Sequence, residues 1–321
     1  MQWFGLLDCN NFYCSCERIF APTLQEQPVI VLSNNDGCII SRSQEVKDLG
    51  VPMGAPAFKI REFIKQHAVQ VFSSNYTLYG DISARVMNTL DELCPLVEVY
   101  SIDEAFLDLS IFPVSELEPF ARKVRATVRQ WTKIPTCVGI ARTKTLAKVA
   151  NKIAKKNPAH DGVFVIQDDA ARIAALASFP IGDVWGIGRQ YQELLHKQGV
   201  QTALDFTKLS DQWVRGQMTV TGYRLLMELR GLSCVPMLEP RAISKNICNS
   251  RSFGKPQTDY EAIAAAVSTF AHNCGQKLRA QTACASVLTV FIETNKHRTD
   301  QPQYVSSKSI NLPTASNSST E

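Results

Sequence analysis

The 321-residue sequence contains no apolar run near the ~18 to 20 residues that span a bilayer. Its amino end has no basic stretch leading into a short apolar segment and a cleavage site. Both absences point to the cytosol. Ten cysteines include no C-x-x-C pair, only the C-x-C of Cys14 and Cys16, and they lie among apolar neighbours. That argues for buried thiols in a reducing compartment, against a disulfide framework or a zinc site. No unit repeats at any period of about 20 to 50 residues, so solenoids and propellers are out. Charge of one sign is also scarce overall, at +4 net.

What is present is ample material for packed cores. Apolar residues make up 45% of the chain, and the length suits about two domains at ~150 residues each. The small net charge hides an asymmetry. Residues 1–110 hold 7 Lys or Arg against 14 Asp or Glu, whereas residues 111–321 hold 27 against 16. The two parts therefore face different partners, although an uneven solvated surface has the same signature.

Trp3 to Asp8 reads as a buried strand ending in a carboxylate, followed by Cys9-Asn10-Asn11. Pro28 to Leu32 reads as a second strand closed by a Ser33-Asn34-Asn35-Asp36-Gly37 turn. Residues 41–49 look helical up to Gly50, and 79–93 carry an amphipathic helix stopped by Pro95. Residues 97–109 form two strand-like runs joined at or near Asp103-Glu104. Ser115 and Glu118 make a capping box before a helix, and a strand at 134–141, a basic helix at 143–156 and a strand at 163–166 complete a mixed α/β unit. Residues 12–75 read as an insertion in it. Helices dominate 168–236. A connector at 236–243 leads to a last unit with strands at 246–253, 286–293 and 303–312 and a helix opened by Thr258 and Glu261. Residues 314–321, with one alanine as their only apolar side chain, should be disordered.

Three groups of residues carry chemistry. Asp8, Asp103 and Glu104 each end an apolar strand, and buried carboxylates need compensation. If the strands are neighbours, Mg²⁺ is the natural counter-ion, and a pair of such ions serves in-line displacement at phosphorus. Adjacent Asp103 and Glu104 share a site only if a turn or bulge separates them. Strand-end residues facing water fit the pattern too. Second, Lys144, Lys148, Lys152 and Lys155 follow helical spacing with no acid between 142 and 156, a face suited to phosphate or simply to solvent. Third, Gly186-Ile187-Gly188 precedes Arg189 and a helix, an arrangement that exposes backbone N–H groups to a nucleic-acid phosphate, or an ordinary connector.

Asp8-Cys9-Asn10-Asn11-Phe12-Tyr13, Ser33-Asn34-Asn35-Asp36-Gly37-Cys38 and Tyr100-Ser101-Ile102-Asp103-Glu104-Ala105-Phe106 resemble the Y-family translesion DNA polymerases. Val138-Gly139-Ile140-Ala141 with Lys144 and Lys148, then Gly186-Ile187-Gly188, extend the likeness in order. The Ser33-to-Cys38 block and Ser250-Arg251-Ser252-Phe253-Gly254 are similar to the UmuC branch, the catalytic subunit of bacterial DNA polymerase V, rather than to the DinB branch. The resemblance covers the chain to about residue 312.

It implies an α+β right-hand polymerase: a mixed α/β palm (1–11 and 76–167), small fingers (12–75), a helical helix-hairpin-helix thumb (168–236) and a partial β-α-β-β little finger (243–312), with a tail at 313–321. It further implies that Asp8, Asp103 and Glu104, with the Cys9 carbonyl, hold two Mg²⁺ ions. Tyr13 matches the steric gate and Phe12 lies under the same sugar. Asn10, Asn11, Ile40, Ser41, Lys47 and Lys155 fall at nucleotide-binding positions; Gly186, Gly188, Arg189, Ser250, Arg251 and Ser252 fall at DNA contacts. Implied partners are primer-template DNA, deoxynucleoside triphosphates, a UmuD′ dimer and a RecA filament, in the SOS response of a cytoplasmic, nucleoid-associated enzyme. One departure stands out: the sequence stops after the third strand of the little finger, so the segment that carries the sliding-clamp peptide in this family is not matched. A shortened form that binds DNA or partners and competes with an intact polymerase is therefore the second reading, and a metal-dependent nuclease the third.

Overall fold

The computed structural model describes residues 2–237, 245–298 and 300–319. The chain divides into two units, Met1–Pro240 and Arg241–Glu321, a boundary that falls inside the expected connector. Most of that connector lies outside the described residues.

The first unit opens with β1 (Phe4–Cys9) and α1 (Phe12–Phe20). An inserted layer follows: β2 (Val29–Leu32), β3 (Ile39–Arg42), α2 (Gln44–Asp48), α3 (Arg61–Gln66) and β4 (Gln70–Ser73), with strand order β3-β2-β4. Here the helix expected over 41–49 is shortened. Residues 39–42 are an edge strand antiparallel to β2, because Ile39 and Ser41 turn inward while Ile40 and Arg42 are half-exposed, an alternation of period two. The chain returns through α4 (Tyr76–Leu93), β5 (Val97–Val99), β6 (Glu104–Asp108), α5 (Val114–Thr132), β7 (Thr136–Ala141), α6 (Lys144–Lys156) and β8 (Val163–Val165). The helix after 113 starts at Val114, with Pro113 as its non-helical boundary and no side-chain cap, so Ser115 sits inside the first turn and the capping box does not form.

These strands make one sheet of order β5-β6-β1-β7-β8 with β1 in the centre, antiparallel to both neighbours. Alternation along β1 decides what each face receives. Leu7, with Ala105 and Leu107 of β6, packs into the core shared with α4 and α5. Phe4 and Leu6, with Phe106, pack into the other core, under α6. Asp8 and Glu104 follow Leu6 and Phe106 on that second face by the same period of two. Helix α6 lies very close, since a Cβ on Gly139 of β7 would come within 2.0 Å of the Asn151 backbone nitrogen. The Asn151 side chain donates to the carbonyls of Leu6 (3.1 Å) and Cys137 (2.9 Å), fixing helix to sheet.

The unit ends in α7 (Asp169–Ala177), α8 (Arg189–Lys197), α9 (Ala203–Thr207) and α10 (Asp211–Leu229), whose apolar residues join the α6-side core. In the second unit, α11 (Tyr260–Ala280) is capped by Asp259, one residue beyond the expected Thr258. Strands β9 (Ala285–Glu293) and β10 (Val305–Ser316) pair antiparallel. No strand forms over 246–253: Asn249, Ser250, Arg251 and Ser252 give that stretch no apolar alternation, and it pairs with neither β9 nor β10. The disorder expected over 314–321 is corrected for its first three residues. Strand β10 continues to Ser316, opposite Ala285, because ladder hydrogen bonds hold a strand whose side chains are polar; Asn317 then donates to the Ala283 carbonyl at 3.1 Å. The last two residues of that stretch lie outside the described ones.

Candidate active site

Asp8 and Glu104 are direct partners in the β1/β6 register. Asp103 joins them through the backbone, its carbonyl accepting from Cys9 N–H at 2.8 Å. The turn before β6 closes on Glu104, whose carbonyl accepts from the N–H groups of Tyr100 (3.0 Å) and Ser101 (3.1 Å). This turn is the break that lets adjacent Asp103 and Glu104 address one region. The Ser101 hydroxyl donates to the Asp103 carboxylate at 2.6 Å.

Two lysines of α6 meet the other two carboxylates. Lys155 pairs with Asp8, and Lys148 reaches both oxygens of Glu104 at 3.0 Å. Lys148 and Lys155 are seven residues apart, two helical turns, and so share the face that α6 turns to the sheet. The phosphate-facing lysine stripe expected from sequence is thus already supplied with acids from other elements. Lys144 is buried against Glu98, and Lys152 and Lys156 pair with Asp183 at 2.8 and 3.4 Å.

Burial pushes the Asp8 carboxyl up to about 6 against the pull of Lys155, with Glu104 and Asp103 raising it further. Burial is thus the main reason that the Asp8 carboxyl holds its proton more firmly than a free one, and the two neighbouring acids add to it. Among the described residues no three His, Cys, Asp or Glu side chains converge on one point, since each carboxylate is turned to its own lysine or hydroxyl. The donor set nevertheless fits a hard divalent cation: the carboxylates of Asp8, Asp103 and Glu104 come from one end of paired strands, and Oδ1 of Asn10, two residues after Asp8, is buried without a hydrogen-bond partner. Burial and the nearby acids hold the Cys9 thiol protonated, which leaves its carbonyl as the available donor.

Asn11, in the left-handed region at φ 50°, turns the chain from β1 into α1 and so places Phe12 and Tyr13 beside the carboxylates. Phe12 is buried. The Tyr13 ring stacks on Tyr79 (4.4 Å between centroids, 19°) and meets Tyr76 edge-on at 6.1 Å. Burial, then Tyr76 and Asp103, pushes the Tyr13 hydroxyl up, so it lies within the field of the acids. Lys47 donates to the Asn11 side chain; burial and the neighbouring ammonium of Lys155 and guanidinium of Arg42 push its own ammonium down. Ser41 is buried and accepts from Cys14 N–H at 3.4 Å, and Ile40 packs at the edge of the same core. Asn10 donates to Cys137 Sγ at 3.3 Å.

Asp8, Asp103, Glu104, Asn11, Tyr13, Lys47 and Lys155 are thus brought to one end of the central strands. Gly186, Gly188 and Arg189 lie elsewhere, at the start of α8, where Gly186 takes φ +90° and Gly188 is the N-cap. Arg189 is fully in solvent and pairs with Glu193 at 2.8 Å. Ser250, Arg251 and Ser252 belong to the second unit, outside any regular element. Sequence patterning does not mark Tyr79 as the ring behind Tyr13. It placed Lys148 on the right helix face without its partner; the seven-residue spacing to Lys155 was the available signal.

The chain matches the impB/mucB/samB family over residues 7–152 and that family's C-terminal domain over 244–321. It is 43% identical over 313 residues to Protein UmuC of Salmonella typhimurium, covering 97% of this chain and 74% of that one. It is 40% identical over 318 residues to Protein MucB of Escherichia coli, covering 98% and 76%. In fold it is similar to a Y-family DNA polymerase chimera of Dbh and Dpo4, with a TM-score of 0.78 at 21% identity over 98% of this chain and 88% of that one. DinB from Sulfolobus solfataricus follows at 0.64 and 21%, with the same coverage.

Proposed function

The chain belongs to the impB/mucB/samB family of Y-family DNA polymerases, and from that premise we propose how its own residues divide the work of translesion synthesis. The activity is error-prone, template-directed addition of deoxynucleotides to a primer, dependent on a divalent cation. The observation that carries our reading is the register pairing of Asp8 with Glu104 beside Asp103 at the end of the central strand.

Asp8, Asp103 and Glu104, with the Cys9 carbonyl, hold the cations, which we take to be two Mg²⁺ ions. When bound, such ions activate a primer 3′-hydroxyl and neutralise the triphosphate and the departing pyrophosphate. Lys155 and Lys47 stand at the same end and supply positive charge to the triphosphate, with Ser41 as a hydroxyl donor and the Asn10–Asn11 backbone turn beneath it. The Tyr13 ring excludes a 2′-hydroxyl by bulk, Phe12 supports the sugar, and Ile40 borders the nascent base pair. Gly186 and Gly188 offer backbone N–H groups, and Arg189 its charge, to a DNA phosphate, as Ser250, Arg251 and Ser252 do in the second unit. Likeness to UmuC at 43% identity supports a UmuD′ dimer as partner, and with it a RecA filament and a place among nucleoid-associated enzymes of the SOS response.

Primer extension with Mg²⁺ and all four deoxynucleotides tests this. Asp103→Asn should abolish extension while DNA binding persists, and undiminished extension removes the cation assignment. Absence of extension by either protein, with DNA bound, leaves the competing DNA-binding form.

A further inference from the structure

Lys148 takes no part in the assignments above. Its ammonium donates to both Glu104 oxygens at 3.0 Å, with 15% of the lysine side chain and 20% of the glutamate exposed. Three aromatic rings lie close to the same ammonium, with centroids of Tyr100 at 4.4 Å, Trp185 at 5.5 Å and Phe106 at 5.8 Å. Ring quadrupoles attract an ammonium, more so where water is partly excluded. The rings also hold one another. Trp185 Nε1–H donates to the Tyr100 hydroxyl at 3.0 Å, the two rings meet edge to face at 5.7 Å and 87°, and Tyr100 meets Phe106 at 5.6 Å and 72°. Trp185 immediately precedes the Gly186-Ile187-Gly188 turn, whereas Tyr100 belongs to the turn that closes on Glu104.

We infer that Lys148 is a positioning residue that holds Glu104 and competes with a divalent cation for its oxygens, and that Trp185 ties the strength of this hold to the turn at 186–188. The inference rests on the reading of Glu104 as a cation ligand. An ammonium bonded to both carboxylate oxygens occupies the atoms a cation needs, and its charge opposes a second positive charge nearby. Lys148 keeps that position because three rings enclose it. A shift of Trp185 when the adjacent turn takes up a phosphate loosens the enclosure and frees Glu104. Occupation of the turn and cation affinity are then coupled, each raising the other.

The test is Mn²⁺ binding to the full chain without DNA, followed by loss of the free-ion paramagnetic signal. Lys148→Gln is expected to tighten binding by about threefold or more, as expected when a charge competing for the same oxygens is removed. Lys148→Arg, which keeps the charge, should bind Mn²⁺ as the unaltered protein does. Trp185→Phe removes the Nε1–H bond and shrinks the ring; it should tighten binding by a smaller factor, and have no effect once Lys148 is glutamine. Unchanged affinity in Lys148→Gln overturns the inference, and so does a Trp185→Phe effect that persists without Lys148. Should the glutamine variant fail to fold, unchanged affinity in Trp185→Phe overturns it as well. Glu104→Gln separates the two levels of argument. If it leaves Mn²⁺ affinity unaltered, the ligand assignment itself fails; if it weakens binding while Lys148→Gln has no effect, the inference about Lys148 alone falls.

Discussion

The Tyr13 ring lies parallel to that of Tyr79, 4.4 Å between centroids and 19° between planes, and the Tyr79 hydroxyl donates to Glu17 at 2.6 Å. Tyr79 is fully buried on α4 and anchored at its far end, so it is a fixed wall behind Tyr13. Exclusion of a ribose 2′-hydroxyl by bulk requires that the excluding ring cannot retreat. Tyr13→Ala should therefore lower discrimination between deoxy- and ribonucleotides by tenfold or more, about 1.4 kcal/mol of transition-state preference. Tyr79→Leu keeps Tyr13 but removes its stacking surface, worth ~0.5 to 1.5 kcal/mol, and should lower discrimination about threefold to tenfold. Incorporation ratios for the two nucleotide types measure both. Unaltered ratios in Tyr13→Ala would remove Tyr13 from this role.

A second prediction concerns an ion pair outside the site. The Lys144 ammonium, 1% exposed, pairs with buried Glu98, donates to the Pro236 carbonyl at 2.8 Å and lies 4.8 Å from the Phe106 ring centroid. Removing one partner of a buried pair leaves a charge whose desolvation is no longer offset, at a cost of roughly 3 to 5 kcal/mol. Lys144→Met should lower the unfolding midpoint of the first unit by ~6 to 20 °C, and the double change Lys144→Met, Glu98→Leu should regain most of it. Calorimetry of the single and double variants decides. A single variant as stable as the original would show that the pair is not held as described.

The residues proposed to carry the chemistry are legible because each interrupts a pattern. Asp8 and Glu104 are charges in apolar strands, and Asn11 is a polar turn residue where β1 gives way to α1. What stayed hidden depends on tertiary partners. Lys144 and Lys148 look like a solvated stripe until β5 and β6 deliver Glu98 and Glu104 to the same face. The end of β3, Ser41 and Arg42, falls within the helix expected over 41–49 because its pairing with β2 lies about ten residues away and leaves no local mark beyond a short alternation. At 314–316 the opposite holds, since β10 is held by a ladder to β9 and composition does not register ladders.

Glu228 yields a third prediction. It is fully buried near the end of α10, and its carboxylate accepts from Thr145 N–H (3.0 Å) in the first turn of α6 and from Cys234 (2.6 Å) and Val235 (3.1 Å) N–H groups. The Thr143 hydroxyl donates to its carbonyl at 2.9 Å. A glutamine retains one acceptor and turns an NH₂ group toward an N–H, so Glu228→Gln should cost about 2 to 3 kcal/mol. Burial first, then the Glu228 charge, pushes the Cys234 thiol up. The variant should therefore carry more thiolate at Cys234 and alkylate faster there, read by peptide-resolved mass spectrometry. Equal alkylation rates would mean that Glu228 does not govern this loop.

The last prediction tests the closeness of helix to sheet on which the site depends. Gly139 is the β7 partner of Leu6, and α6 crosses it so tightly that an added Cβ would meet Asn151 N at 2.0 Å, Ala147 O at 2.4 Å and Ala150 C at 2.6 Å. All three are backbone atoms of a helix that cannot yield by a side-chain rotation. Gly139→Ala must then lift α6 from the sheet, breaking the Asn151 bonds to the Leu6 and Cys137 carbonyls and drawing Lys148 and Lys155 away from Glu104 and Asp8. Overpacking against side chains costs ~1 to 3 kcal/mol, and against backbone the cost should exceed that range. The expected outcome is a sharply reduced yield of folded protein, and in whatever folds, a loss of primer extension out of proportion to any loss of DNA binding. Full activity in a stably folded Gly139→Ala protein would mean that α6 does not rest on β7 at this distance, and the lysine–carboxylate geometry built on it would have to be redrawn.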